Sequence, residues 1–412
     1  MWVERVNWQT VHGWLTESSL IRRSAEAMLR AACRRHLAQF DRRAPERCQS
    51  RILLGLLNQA QNTRFGREHD FRRIRTVADY RRLVPLWTRA DLWREYWQPV
   101  YPHLAGATWP GPLANGQANG DDSYRPRPSA ALQSAHRRAL RTALALVAHV
   151  QPRTALLSGA LLLPGEEGPY SVWEQDTLRE RLPSLARPFA RLGEEALAER
   201  CAHLPVTCLI GTVERLLPLL ENVRQFRGKR CLNDVWPNLS AILYTRRSPT
   251  APVAQLRAEA EGVLLLETVG RAEGPIAVED PRHGLMRLLF DHGVFFEFIS
   301  PAADGEPVGP RRGIDEIEMG VPYELVLTSP AGLWACRIGR TVCLERRDPP
   351  LLRFLEPVPA PAAVEAKRRP RRTDLILPTL PEVGFHPQSD GNPAAPPGSS
   401  FHTPWSILGD RG

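Results

Sequence analysis

The sequence predicts an α/β protein: a large N-terminal body of parallel strands and helices, then a smaller β-rich part. Strand-like runs at Thr154–Leu157, Pro205–Ile210, Ser240–Tyr244 and Val263–Thr268 alternate with helical patterns at 174–202, 211–226 and 252–261. That order is the one parallel pairing requires. From Pro275 to Glu345 the runs shorten to Ile276–Val278, Met286–Leu289, Val294–Ile299, Tyr323–Thr328, Leu333–Ile338 and Val342–Leu344, with turns such as Ser329-Pro330-Ala331-Gly332 between them. No apolar run reaches the ~18 residues of a membrane helix, so a membrane-spanning helical protein is excluded. The opening Met1-Trp2-Val3-Glu4-Arg5-Val6 lacks the charged-then-apolar order of a signal peptide, and a cytoplasmic protein is expected.

Residues 1–18 carry Trp2, Trp8 and Trp14 among polar neighbours and read as an N-terminal arm. Ser18-Ser19 can cap a helix to about Phe40, whose stripe is Leu20, Ala25, Met28, Leu29, Ala32 and Leu37. A second helix follows Ala44-Pro45, since proline suits a first turn, and carries Ile52, Leu53, Leu56 and Leu57. Thr88 starts a third, Arg89 to Tyr96. Glycines and prolines make Pro99 to Pro128 a loop, and a long helix spans about Ser129 to Val150. The α/β body then covers 19–274 and the β-rich part 275–355. From 356 to 412 there are 11 prolines, against 38 in all 412 residues, so this tail is expected to be disordered. It contains the basic cluster Lys367-Arg368-Arg369-Pro370-Arg371-Arg372 and the island Trp405-Ser406-Ile407-Leu408. The island is a candidate ligand for a protein partner, or a chance cluster.

The net charge is +9, and only Lys229 and Lys367 are lysines, leaving 52 arginines. Such a bias reflects base composition more often than nucleic-acid binding; it licenses weak association with polyanions without specifying one. The seven cysteines, widely spaced and without a CxxC pair, read as free thiols in a reducing compartment. The histidines form no HxH or HxxxH pair, so no structural metal is expected.

Three features could carry chemistry. Asn119-Gly120-Asp121-Asp122-Ser123-Tyr124-Arg125-Pro126-Arg127-Pro128 precedes a helix, where backbone N–H groups can hold phosphate. Its paired aspartates oppose an anion, Arg125 and Arg127 offset them, and a plain surface loop is the competing reading. Glu273-Gly274 follows the strand at 263–268, and a carboxylate at such a strand end can hold Mg²⁺ or simply be solvated. Glu297, flanked by aromatics, is an outward residue or a buried partner for an arginine. Glu316 and Glu318 alternate about Ile317 on a solvated face.

Several stretches together resemble the auxin-responsive Gretchen Hagen family of acyl acid–amido synthetases and its bacterial relatives. They are Asn62 to Phe71, with Asp79-Tyr80-Arg81 and Val84-Pro85-Leu86; Val235-Trp236-Pro237-Asn238-Leu239; Phe296-Glu297-Phe298-Ile299; Glu318 to Thr328; and Gly332 to Gly339. The likeness covers about 25 to 355. It implies an adenylate-forming-enzyme-like fold and a family chemistry in which ATP and Mg²⁺ turn a carboxylic acid into an acyl-adenylate that an amino acid then attacks. By the same resemblance Asn119, Gly120, Asp121, Asp122, Arg125, Arg127, Gly274, Arg337 and Arg340 stand at nucleotide-site positions, with Glu273 at the Mg²⁺ and ATP position.

The departures fall on that site. The family's threonine pair is Asp121 and Asp122, which when ionised cannot donate to phosphate. Its lysine is replaced by Arg125 or Arg127, a fork rather than a point charge. Val269 stands where an aromatic packs on adenine, and Ala272 where a serine is. Arg340 stands where an aspartate accepts from the ribose hydroxyls. The family's mobile C-terminal lid is not seen after about Leu355. The expected protein is therefore a degenerate relative that binds or scaffolds without catalysing and holds no cofactor, though a small carboxylic acid could still enter. The alternatives are an active acyl-adenylating ligase with a rewired site, in which Glu273 holds Mg²⁺ and Arg125, Arg127 and Arg337 the phosphates, and a polyanion-binding protein using the tail cluster. Nucleic acid is not expected on that cluster, which is short and has no interleaved aromatics.

Overall fold

A computed structural model describes residues 19–111, 129–152, 159–163, 186–188, 194–248, 250–301 and 308–355. These all lie in the unit spanning Met1–Ala360. The expected strand Thr154–Leu157, the arm 1–18, the tail 356–412 and the loop from 112 to 128 lie outside them.

Helices α1 (Ser19–Asp41), α2 (Pro45–Ala60) and α5 (Arg89–Leu92) form where the sequence places them, and two short helices that it did not mark, α3 (Arg64–Glu68) and α4 (Val77–Leu83), lie between α2 and α5. Proline at the start of α2 and capping boxes at α4 (Thr76, Asp79) and α5 (Thr88, Asp91) satisfy first-turn N–H groups. The expected helix to Tyr96 ends as α at Leu92 and continues as a π turn through Trp97. In α6 (Ala130–Val150), the Ser129 hydroxyl accepts from Leu132 N–H at 3.2 Å and donates to the Pro330 carbonyl at 2.9 Å.

One sheet contains all the described strands: β1 (Ala160–Leu163), β2 (Ala186–Pro188), β3 (Val206–Thr212), β4 (Ala241–Thr245), β5 (Leu264–Arg271), β6 (Gly274–Asp280), β7 (Leu285–Leu288), β8 (Phe295–Ser300), β9 (Val308–Arg312), β10 (Pro322–Ser329), β11 (Leu333–Arg346) and β12 (Leu351–Leu355). Their order is β2-β1-β3-β4-β5-β6-β7-β12-β11-β10-β8-β9. The β2-β1-β3-β4-β5 part is parallel. β5 is the strand where pairing changes hand. Leu264–Glu267 pair parallel with β4, and Thr268–Arg271 pair antiparallel with β6. Past it every pairing is antiparallel.

Three differences from the sequence reading have local causes. Ala186–Pro188 is a parallel strand inside the expected helix 174–202, of which α7 (Glu194–Ala202) is the described remainder. The periodicity of a short apolar run does not separate helix from strand. Leu333–Ile338 and Val342–Leu344 are one strand. Gly339 (φ 63°) bulges the chain there, so Val326 faces Arg337 while Glu324 faces Thr341. Strands β9 and β12 had no alternation in sequence strong enough to mark them.

Helices α1 and α6 pack on the middle of the sheet through Leu37, Phe40, Ala143, Leu146 and Val147. The helices α2–α5 share a second core with β8, β10 and β11 around Phe65, Tyr80, Trp97 and Trp334. The parallel strands are covered by α7, α8 (Val213–Arg227), α9 (Leu232–Val235) and α10 (Val253–Glu259), with Trp236 buried among them.

Candidate functional site

The site forms where β5 ends. Ala272 and Glu273 make the two-residue turn of the β5–β6 hairpin. Gly270 (φ 125°) and Gly274 (φ 126°) adopt conformations that L-residues avoid. Gly274 also has no room: a Cβ there would lie 2.7 Å from Val294 Cγ2 and 3.4 Å from Leu132 Cδ1. Leu132 is in the first turn of α6, so the structure brings this hairpin against the helix end at which the glycine-rich loop arrives. The loop residues Asn119, Gly120, Asp121, Asp122, Arg125 and Arg127 lie outside the described residues.

Segment 86–89 reaches the same place from the other side. Trp87 N–H donates to the Ala335 carbonyl at 3.0 Å, and Arg337 N–H donates to the Trp87 carbonyl at 2.8 Å. Thr88 caps α5, and its next residue, Arg89, places Nη2 3.5 Å from Glu273 Oε2. The Glu273 side chain is 18% exposed. Arg337 sends Nη2 to Glu324 Oε2 at 2.7 Å and Nε to Oε1 at 3.1 Å, spending its fork on one carboxylate. Between these pairs the Cys336 thiol is buried, and burial pushes its pKa up to about 12, so it is no nucleophile.

Arg340 sits on the β11 bulge, and its charge acts on Glu267 of β5. Burial raises the Glu267 pKa, against the pull of Arg246, whose Nε lies 2.6 Å away. Glu279 accepts from Glu267 N–H at 3.0 Å. Val269 and Ala272, read as replacing the aromatic and the serine, are half-buried and buried.

Sequence reasoning missed Arg89 and Glu324. Arg89 is visible only as the first residue of a capped helix, and its partner is far along the chain. Glu324 alternates inside a strand and could face either way. Glu297 is the buried partner of arginines: it is inaccessible, accepts from Arg81 Nε at 3.2 Å, and lies 3.4 Å from Arg311 Nη1. Glu316 is also bound by Arg81, at 2.7 Å, so it is not a free solvated carboxylate. Among the described residues no group of three His, Cys, Asp or Glu could hold a metal, and no helix is long and apolar enough to cross a membrane.

Two family models match, in order: the GH3 family N-terminal domain over residues 34–95 and the GH3 family central domain over 287–356. The second carries Glu297, Glu324, Arg337 and Arg340. Among solved structures, the chain is similar to AtGH3.15 acyl acid amido synthetase in complex with 2,4-DB (13% identity, 79% of this chain and 70% of that one, TM-score 0.59). Another structure of GH3.15 acyl acid amido synthetase gives 14% identity over 80% and 71%, with TM-score 0.57. An open conformation of 2-hydroxyisobutyryl-CoA ligase in complex with 2-HIB-AMP and CoA gives 14% over 74% and 71%, with TM-score 0.55. At these identities the structural matches speak for the fold. No curated protein matches the sequence.

Proposed function

We propose that this chain, which matches the GH3 N-terminal and central domain models and shares the fold of adenylate-forming ligases, keeps that scaffold as a cytoplasmic binding or scaffold protein and does not activate acids with ATP. The observation that carries this reading is the pairing of the candidate nucleotide-site side chains with the chain's own charges. Mg²⁺ in phosphate sites is held by one or two carboxylates plus the phosphates. Glu273 could be such a carboxylate, but the Arg89 guanidinium lies 3.5 Å from it. A second cation there competes with the first. Arg337 is engaged bidentately by Glu324, so a triphosphate would have to displace a paired carboxylate. Arg340 has no acceptor for a ribose hydroxyl. These residues do not fit Mg·ATP. In this reading Trp405-Ser406-Ile407-Leu408 is the element that engages a partner.

Calorimetric titration with Mg·ATP tests the proposal. The expected result is no binding at about millimolar ATP, the weak end of ordinary affinities, by protein whose thermal unfolding is cooperative. Binding near about 1 μM that disappears in Glu273→Ala would overturn it in favour of an active acyl-adenylating ligase with a rewired site.

A further inference from the structure

We propose that the face built by α1, the α1–α2 junction and α6 binds the phosphate backbone of double-stranded nucleic acid. Residues 19–60 and 130–150 hold twelve arginines and three carboxylates, a surplus of nine positive charges. The whole chain's net charge is also +9, so the remainder is balanced. Compositional bias scatters arginines along the chain; it does not by itself place the largest surplus of positive charge on one pair of packed helices. Elsewhere the arginines meet carboxylates: Arg81 with Glu316, Arg224 with Glu259, Arg337 with Glu324 and Arg353 with Glu345. On this face Arg34, Arg35, Arg42, Arg137, Arg138 and Arg141 have no acidic partner among the described residues.

The fold gathers these charges. Helices α1 and α6 pack along each other, joined by a buried polar chain from His36 Nε2 to Thr142 Oγ1 (3.0 Å) to His292 Nε2 (2.9 Å). Arg43, Arg138 and Arg141 all act on His292, and Arg43 and Arg141 on His36. Arg138 itself is disfavoured as a cation, by burial first and then by Arg141 and Arg137. Like charges held together without compensation mark a surface whose neutralising partner comes from outside.

The chemistry of the face selects the partner. Arginine forks suit phosphate oxygens. Helix α1, at ~1.5 Å per residue, runs about 34 Å, roughly ten base-pair steps of a duplex. Among the described side chains the exposed large apolar residues of α1 and α6 are Met28 and Val150, neither of them aromatic, so these show no platform on which single-stranded bases could stack. Leu37, Phe40, Leu146 and Val147, the stripe an interfacial helix would insert into lipid, are in the core. Nor is there, among the described side chains of this face, an exposed aromatic cluster to anchor a protein. The sequence argued against nucleic acid from the chain-wide arginine bias and from the short tail cluster, whereas this face exists only once α1 and α6 are packed together.

The test is fluorescence anisotropy of the full chain with a labelled mixed-sequence duplex of about 20 base pairs, between about 50 and 200 mM salt. Binding at low salt should weaken steeply as salt rises. The variant R34Q/R35Q/R138Q/R141Q should bind at least about tenfold more weakly at low salt and lower the log–log salt slope by roughly 3 to 4, at about 0.9 per lost phosphate contact. The corresponding four lysine substitutions should retain most of the slope, which separates charge from folding damage. Absence of duplex binding at low salt would overturn the proposal. So would loss of binding only when Lys367, Arg368, Arg369, Arg371 and Arg372 become glutamine. Equally tight binding to phosphatidylserine-containing vesicles, competing with the duplex, would overturn it in favour of a lipid surface. The proposal does not depend on whether ATP binds.

Discussion

At the edge of the sheet core Arg287 is fully buried, and its Nε lies 2.7 Å from Asp280 Oδ2, also fully buried; Arg282 and Asp41 complete the group. On the α1–α6 face Arg138 and Arg141 stand near each other and near two histidines, and the nearby Asp291 pairs with Arg43 and not with either of them. The same side chain therefore has opposite consequences. Around Asp280, burial alone would raise the carboxyl pKa, but hydrogen bonds from Arg282 and the charge of Arg287 win and hold it down at about 2. Around His36 and His292, burial and the arginines act together and push the imidazoles down to about 4 and about 3. One region stabilises charge within the fold; the other repels it and leaves its own unneutralised.

The largest test of this contrast is Arg287→Gln. Removing one partner of a buried ion pair costs about 3–5 kcal/mol where the other is left unpaired; Arg282 still reaches both Asp280 oxygens, so the lower end of that range, about 3 kcal/mol, is expected here. Chemical denaturation should therefore show a loss of that size, with the m-value unchanged. A loss under about 1 kcal/mol, the range of surface pairs, would mean that water reaches Asp280 and that the two regions do not differ in kind.

The pH profile sharpens the comparison further. His292 Nδ1 lies 2.7 Å from Asp291 Oδ1 without a hydrogen bond to it, and its Nε2 can accept from Thr142, whose oxygen then accepts from His36 Nε2. Thr142 thus joins the two imidazoles, and burial, with the charges of Arg138, Arg43 and Arg141, disfavours the cationic form of His292. With folded pKa values below the unfolded ~6.5, the unfolded state binds more protons as pH falls, so stability rises with pH across this window. Stability should fall from about pH 6.5 towards pH 4, by up to about 1.4 kcal/mol per pH unit for each histidine. Asp280 acts lower: its contribution is present above the unfolded ~3.8 and is lost as pH drops towards about 2. Denaturation midpoints between pH 7 and 4 check the first limb. A flat profile there would mean that the histidines protonate in place and the face is neutralised from within.

How much of this was legible in the sequence differs along the same line. The helices of the basic face were readable because Ser18-Ser19, Ala44-Pro45 and Ser129 mark their starts and an apolar stripe fixes their buried side. Its charge was countable too, since twelve arginines against three acids requires no coordinates. The ion pairs were not readable. Arg89 meets Glu273, Arg287 meets Asp41, and Arg81 meets Glu297 across long stretches of chain, and strand register decides which side each carboxylate faces. Glu273 and Gly274 were legible as a strand-end pair, and the positive φ of Gly274 explains why glycine follows the glutamate. Arg89 as its neighbour emerged only from the packing of segment 86–89 on β11.

The smallest predicted effect has the opposite sign from the largest, which makes it the sharpest comparison of the two regions. Arg141→Gln removes a cation from an exposed position on α6, where glutamine and arginine have similar helix propensity, so the backbone term nearly cancels. What remains is relief of repulsion from Arg138 and from the field on His36 and His292. Surface charge interactions are worth about 0–1 kcal/mol, so a gain of roughly 0.5 kcal/mol is expected at low salt. It should shrink at about 1 M salt, where the screening length drops to about 3 Å. The acid limb should also become shallower, because an imidazole with one fewer cation beside it accepts a proton more readily in the folded state. A destabilisation above about 1 kcal/mol would instead reveal a carboxylate partner for Arg141. Two arginines replaced by the same residue, one costing several kcal/mol and the other yielding a fraction, would show that pairing, and not arginine content, separates the structural charges from those turned outward.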